Sequence, residues 1–66
     1  MNEYNLFRIL EFSSRMAQAE IEMNGMVAEN KQREFMGESM AYTEDDFFRL
    51  IDKYQIHDNA VPRYEG

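Results

Sequence analysis

From Leu6 to Phe35 apolar residues recur every three or four positions, and no proline breaks the run. That period belongs to a helix rather than a strand. Few β-branched residues and no clean two-residue alternation argue against a sheet anywhere in the chain. The fold class expected is all-α.

The run carries two stripes. Ile9, Phe12, Met16, Ala19, Met23 and Met26 follow heptad positions a and d. The next two positions of that register are Asn30 and Arg33, where the stripe lapses. Leu6, Leu10, Ala17, Ile21, Ala28 and Phe35 form a second stripe in a neighbouring sector. One helix therefore offers two surfaces to bury.

Asn24-Gly25 tests this reading. A glycine inside a helix costs about 1 kcal/mol relative to alanine, and Asn-Gly is also a turn signal. However, the heptad register passes from Met23 to Met26 unbroken, and no N-cap cluster follows Gly25. One continuous helix over about 3–36 is expected. The competing arrangement is a three-helix bundle with a corner at Asn24-Gly25.

A second helix, over about 44–55, has clearer limits. Thr43 is a suitable N-cap, with Asp46 three residues on as a variant capping box. Glu44, Asp45 and Asp46 suit the positive end of the helix dipole. Phe47, Leu50, Ile51 and Tyr54 then share one face, widened by Phe48. Pro62 opposes continuation. Residues 1–66 thus read as a single domain, a helical hairpin with a connector at 37–43 and a tail at 56–66.

The lengths do not match. A helix of some thirty-four residues spans about 50 Å, and one of twelve covers only about 18 Å of it. Folding back after a short connector would bring Phe47, Leu50, Ile51 and Tyr54 onto Val27, Ala28 and Phe35. The N-terminal apolar residues would stay bare, and a monomer rarely exposes so large a patch. The expected cover is a second copy, in an antiparallel helical dimer or a higher bundle.

The charges at the g positions suit that orientation. In an antiparallel pair Arg8 meets Glu29, and Arg15 meets Glu22, of the other copy. The same register aligns Ile9 with Met26, Phe12 with Met23, and Met16 with Ala19 about one two-fold centre. Such exposed ion pairs contribute about 0–1 kcal/mol each, so they select orientation more than strength.

Composition narrows the function. The 66-residue chain has 13 acidic and 7 basic residues, a net charge of −6, and no cysteine. The charge disfavours nucleic acid and would suit a basic partner surface, although plain solubility also explains it. The missing cysteines exclude disulfides and thiolate metal sites. "MNEYNLFRILEF" shows no signal-peptide pattern, and no apolar run is long enough to cross a bilayer. A soluble, cytoplasmic protein without membrane contact is expected.

No catalytic constellation stands out. His57-Asp58 has no supporting residues and reads as a surface histidine near a helix end, and Ser13, Ser14 and Ser39 lack a nucleophile motif. The Glu-x-x-His and calcium-loop spacings are absent, so no metal or cofactor is expected. Phosphate-loop and dinucleotide fingerprints are absent too.

A small nucleotide held between chains would draw on Tyr4, Arg8, Lys31, Arg33, Tyr42, Lys53, Arg63 and Tyr64, with aromatic stacking and cations on phosphate. The plainer reading of "NKQRE" (30–34) is a solvated helix face. Six methionines, several on the packing face, suit either core filling or an adaptable docking surface.

Short, acidic, cysteine-free and helical, with "AYTEDDFF" and "IHDNAV" in its second half, the chain resembles small phage-encoded accessory proteins. The resemblance implies inhibition of a host protein or of a defence system. The function expected is a non-enzymatic, oligomeric protein-interaction module that acts as an inhibitor or adaptor. A nucleotide-sequestering protein and a structural assembly subunit are the alternatives.

Overall fold

The computed structural model describes residues 3–57. Within them the protein is all-helical: α1 spans Glu3–Phe35 and α2 spans Glu44–Lys53, and no strand occurs among the described residues. The long axis measures 53 Å. The helix α1 runs through Asn24-Gly25 without a break. A methyl group added at Gly25 would meet nothing within 4 Å, so the glycine is required neither by a turn nor by a close approach.

The stop of α1 is built by Gly37, in the left-handed region at φ 76°. The Glu38 N–H donates to the Arg33 carbonyl at 2.7 Å, and the Gly37 N–H donates to the Glu34 carbonyl at 3.1 Å. This pair of bonds is a Schellman motif, which satisfies carbonyls that the last turn leaves open. The same motif ends α2, with Gln55 at φ 53° in the glycine position. There Ile56 N–H reaches the Ile51 carbonyl at 3.0 Å and Gln55 N–H reaches that of Asp52 at 3.2 Å. It closes α2 at Lys53, two residues before the expected end.

At the start of α2 the Asp46 carboxylate closes the cap. Its Oδ2 accepts from the Thr43 N–H at 2.8 Å and from the Thr43 hydroxyl at 3.1 Å. These two bonds, the backbone one first, hold the Asp46 carboxyl below its ordinary range, helped by Arg49.

The helix α2 lies antiparallel along the middle of α1. At its near end the Asn30 amide clamps the connector: Oδ1 accepts from the Ala41 and Tyr42 N–H groups, both at 3.0 Å, and Nδ2 donates to the Tyr42 carbonyl at 2.9 Å. At its far end Lys53 Nζ meets Glu22 Oε1 at 2.6 Å. Among the described residues the buried apolar ones are Ala19, Met26 and Leu50. Ten residues of α2 span about 15 Å, so most of α1 lies beyond its reach.

This docking corrects the expected one. On α2, Leu50 is buried and Phe47 and Tyr54 are half-buried, while Ile51, expected on the same inner face, is 39% exposed. The α1 side differs. Val27 is 36% exposed and Phe35 is 93% exposed, so neither forms the intrachain core. Ala19 and Met26, expected to bind a second copy, lie under α2 instead. The cause is Asn30. It stands on the Met23–Met26 face and draws the connector onto that face, so α2 descends over the first stripe rather than the second.

Candidate interaction surfaces

Four faces of the hairpin follow from this docking. On one flank of α2, Asp46, Arg49 and Lys53 share a face at i, i+3 and i+7. With Glu22, Gly25, Met26, Tyr42 and Leu50 they line a depression of about 470 Å³. Its charges are already matched. Arg49 pairs with Asp46 at 3.0 Å, and Lys53 pairs with Glu22 at 2.6 Å.

The Lys53 ammonium, and next the Tyr54 hydroxyl, hold the Glu22 carboxyl below its ordinary value. Glu22 in turn raises both Lys53 and Tyr54. Oε2 of Glu22 is shielded and makes no hydrogen bond. The ammonium of Lys53 also lies 5.4 Å from the Tyr54 ring centre, which adds a cation–π contact.

The other flank of α2 is apolar. Met16, Ala19, Glu20 and Met23 of α1 face Phe47, Phe48, Leu50, Ile51 and Ile56 across a groove of about 430 Å³. Among the described residues, Glu20 is the single charged one in its wall. Met16, Met23, Phe48 and Ile51 expose enough side chain to be touched by another molecule.

Behind α2 is the second stripe. Leu6, Leu10, Ala17, Ile21, Ala28 and Phe35 fall within a sector about 60° wide, roughly opposite Ala19 and Met26. All six are exposed. The fourth face, at the N-terminal end, is mixed: Phe7 is exposed, Ile9 and Phe12 are half-buried, and Asn5 is buried and engaged.

The structure divides the residues expected to join two copies. Glu22 is committed to Lys53, Glu29 to Arg33 at 3.0 Å, and Arg15 to Glu11 at 4.0 Å. Arg15 also stacks on Phe12, 5.4 Å from the ring centre, and its Nε is shielded without a partner. Ile9 and Phe12 are half-buried, and Met16 and Met23 border the groove. Pairing two copies through this register would require α2 to leave Ala19 and Met26.

The residues expected to touch a nucleotide are not gathered. Arg8 and Arg33 are 25 positions apart on one straight helix, about 37 Å. Arg33 and Lys53 each hold a carboxylate, Arg8 has an interaction of its own, and Lys31 is exposed. Tyr4 belongs to the first turn of α1. Arg63, Tyr64 and the rest of the tail beyond His57 lie outside the described residues.

Two features escaped the sequence reading. Asn30 looked like the end of a stripe, whereas its amide organises the hairpin. The signal was there: a polar residue interrupting an apolar register. The groove was missed because its walls come from both helices and depend on where α2 docks. Among the described residues no cluster of His, Asp or Glu fits a metal ion, and no helix is long and apolar enough to cross a membrane. Comparison of the chain with models of protein families, with curated proteins and with solved structures finds no match.

Proposed function

We propose that this protein works by binding proteins rather than by catalysis: it assembles with a second copy through the outer stripe of α1, and serves as an adaptor or inhibitor of a partner protein. The observation that carries this reading is the exposed stripe. Ile21, at its centre, is 73% exposed, and Phe35, at its end, is 93% exposed.

The outer face keeps its own heptad register along α1: Phe7, Leu10, Ser14, Ala17, Ile21, Asn24, Ala28, Lys31 and Phe35. Small residues at Ser14, Ala17 and Ala28 allow close approach of another helix. Polar Asn24 and Lys31 limit which register and which oligomer form, at some cost in stability. A second copy on this face leaves α2 in place, which pairing through Ala19 and Met26 does not. The resemblance to small phage-encoded accessory proteins adds a setting, the host cytoplasm, and makes the partner a host protein.

Sedimentation equilibrium across a range of concentrations tests the self-assembly. The expected result is a dimer or larger species for the wild type and a monomer of unchanged helicity for Ile21→Glu. A wild type that remains monomeric at high concentration removes the proposal.

A further inference from the structure

We infer that the groove between α1 and α2 is the docking site for a basic amphipathic helix of a partner protein. This rests on the reading of the chain as an interaction module and names the partner's chemistry. Three observations converge on it.

The first is shape. The groove is open along the seam of two helices, at about 430 Å³. Its α1 wall runs from Met16 to Met23, about 10 Å, and its other wall from Phe47 to Ile56, which matches about two turns of a docked helix.

The second is the lining. Phe48 is 57% exposed at the lip although nothing polar on its side chain favours water. Met16 and Met23 stand opposite. Methionine is flexible and polarisable, and it adapts to an incoming apolar surface better than a branched residue does.

The third is charge. Glu20 is a charged residue of the wall. Asp45 and Asp52 share the face of Phe48 at i, i+3 and i+7, and both are exposed. The two cations of α2, Arg49 and Lys53, point to the opposite flank and are neutralised there by Asp46 and Glu22. The groove is thus apolar at the floor and acidic at the rim, and the whole chain carries a net charge of −6. An apolar stripe flanked by Lys or Arg is complementary to that pattern, while an acidic helix would be repelled.

The test uses the full chain and three synthetic peptides of roughly 18 residues, long enough for some helix in isolation. One is an amphipathic Leu/Lys helix, the second replaces each Lys by Glu, and the third scrambles the Leu/Lys order. Calorimetric titration is expected to show saturable binding of the Leu/Lys helix, at least tenfold tighter than either control. Phe48→Glu should weaken it about tenfold or more, as loss of an aromatic contact at an interface does. Gln32→Ala, exposed near the C-terminal end of α1 and outside the groove, should leave it unchanged. Raising the salt should weaken it, because rim charges are screened.

Equal binding of all three peptides, or binding indifferent to Phe48→Glu, overturns the proposal. So does self-association that Phe48→Glu abolishes, since the groove would then be filled by a second copy. If the peptide fails while Ile21-dependent assembly persists, the groove inference alone falls. If the peptide binds a monomeric wild type, the assembly reading alone falls.

Discussion

Ala19 and Ile21 stand two residues apart on one helix, yet the first is 6% exposed and the second 73%. The first belongs to the stripe under α2 and the second to the stripe behind it. The larger and more apolar side chain is the one left in water. Hydrophobicity alone therefore does not decide which face α2 covers. The choice comes from polar anchors at each end: Asn30 at the connector and Glu22 at Lys53. Those anchors sit on the Ala19–Met26 face.

The comparison breaks most easily at Leu50, the residue of α2 that is 7% exposed against α1. Leu50→Ala is expected to cost about 2–5 kcal/mol, as buried leucines do. That rivals the whole stability of about 3–5 kcal/mol that a core this small supplies. Urea denaturation followed by circular dichroism should show α2 lost, with much of the α1 signal kept if self-assembly through the outer face survives. The corresponding change on the outer face, Ile21→Ala, should leave the urea midpoint of the isolated chain nearly unchanged.

Next comes Asn30. Its side chain makes three hydrogen bonds to the connector, two of them accepted by Oδ1. Asn30→Ala leaves the Ala41 and Tyr42 N–H groups without their acceptor, at about 1–3 kcal/mol. Asn30→Asp keeps the acceptor but sets a carboxylate oxygen against the Tyr42 carbonyl, so it too should lower the thermal midpoint at neutral pH. If Asn30→Ala is silent, the account of why α2 chooses its face fails.

A gain is expected at Gly25. The helix is continuous there, and a Cβ meets open space. Gly25→Ala should raise stability by up to about 1 kcal/mol, seen as a higher melting temperature. A loss would mean that the backbone turns at Asn24-Gly25.

The mildest effect is that of pH. Glu22 and Asp46 have folded values below their ordinary 4.5 and 3.8. Their contribution is therefore complete above those ordinary values and is lost as pH falls through the depressed ones. Lys53 and Tyr54 are raised above 10.5 and 10.0, so their share holds below those values and is lost as pH rises through the folded ones. Denaturation midpoints should be level between these limits and fall on both sides. Glu22→Gln should flatten the acid limb in part, because Asp46 still titrates there.

Much of the architecture was legible in the chain. The three-four spacing fixed α1, and Thr43 with Asp46 fixed the start of α2. The unbroken register across Asn24-Gly25 carried more weight than the local turn signal, because one glycine costs little against many hydrogen-bonded turns. The side on which α2 docks was not legible. It depends on amide geometry at Asn30, and a polar residue at a heptad position reads as an interruption until the connector is seen to bind it. The candidate surfaces inherit that limit: the outer stripe could be read from spacing, whereas the groove exists only once α2 has chosen its face.

The absence of cysteine makes one direct measurement simple. Single-thiol variants Ala19→Cys and Ile21→Cys can be labelled with a thiol reagent at rising protein concentration. The account expects Ala19→Cys to react slowly at every concentration, because α2 covers it. It expects Ile21→Cys to react quickly when dilute and slowly when concentrated, as a second copy closes over the outer face. A fast Ala19→Cys, or an Ile21→Cys rate that ignores concentration, would contradict it.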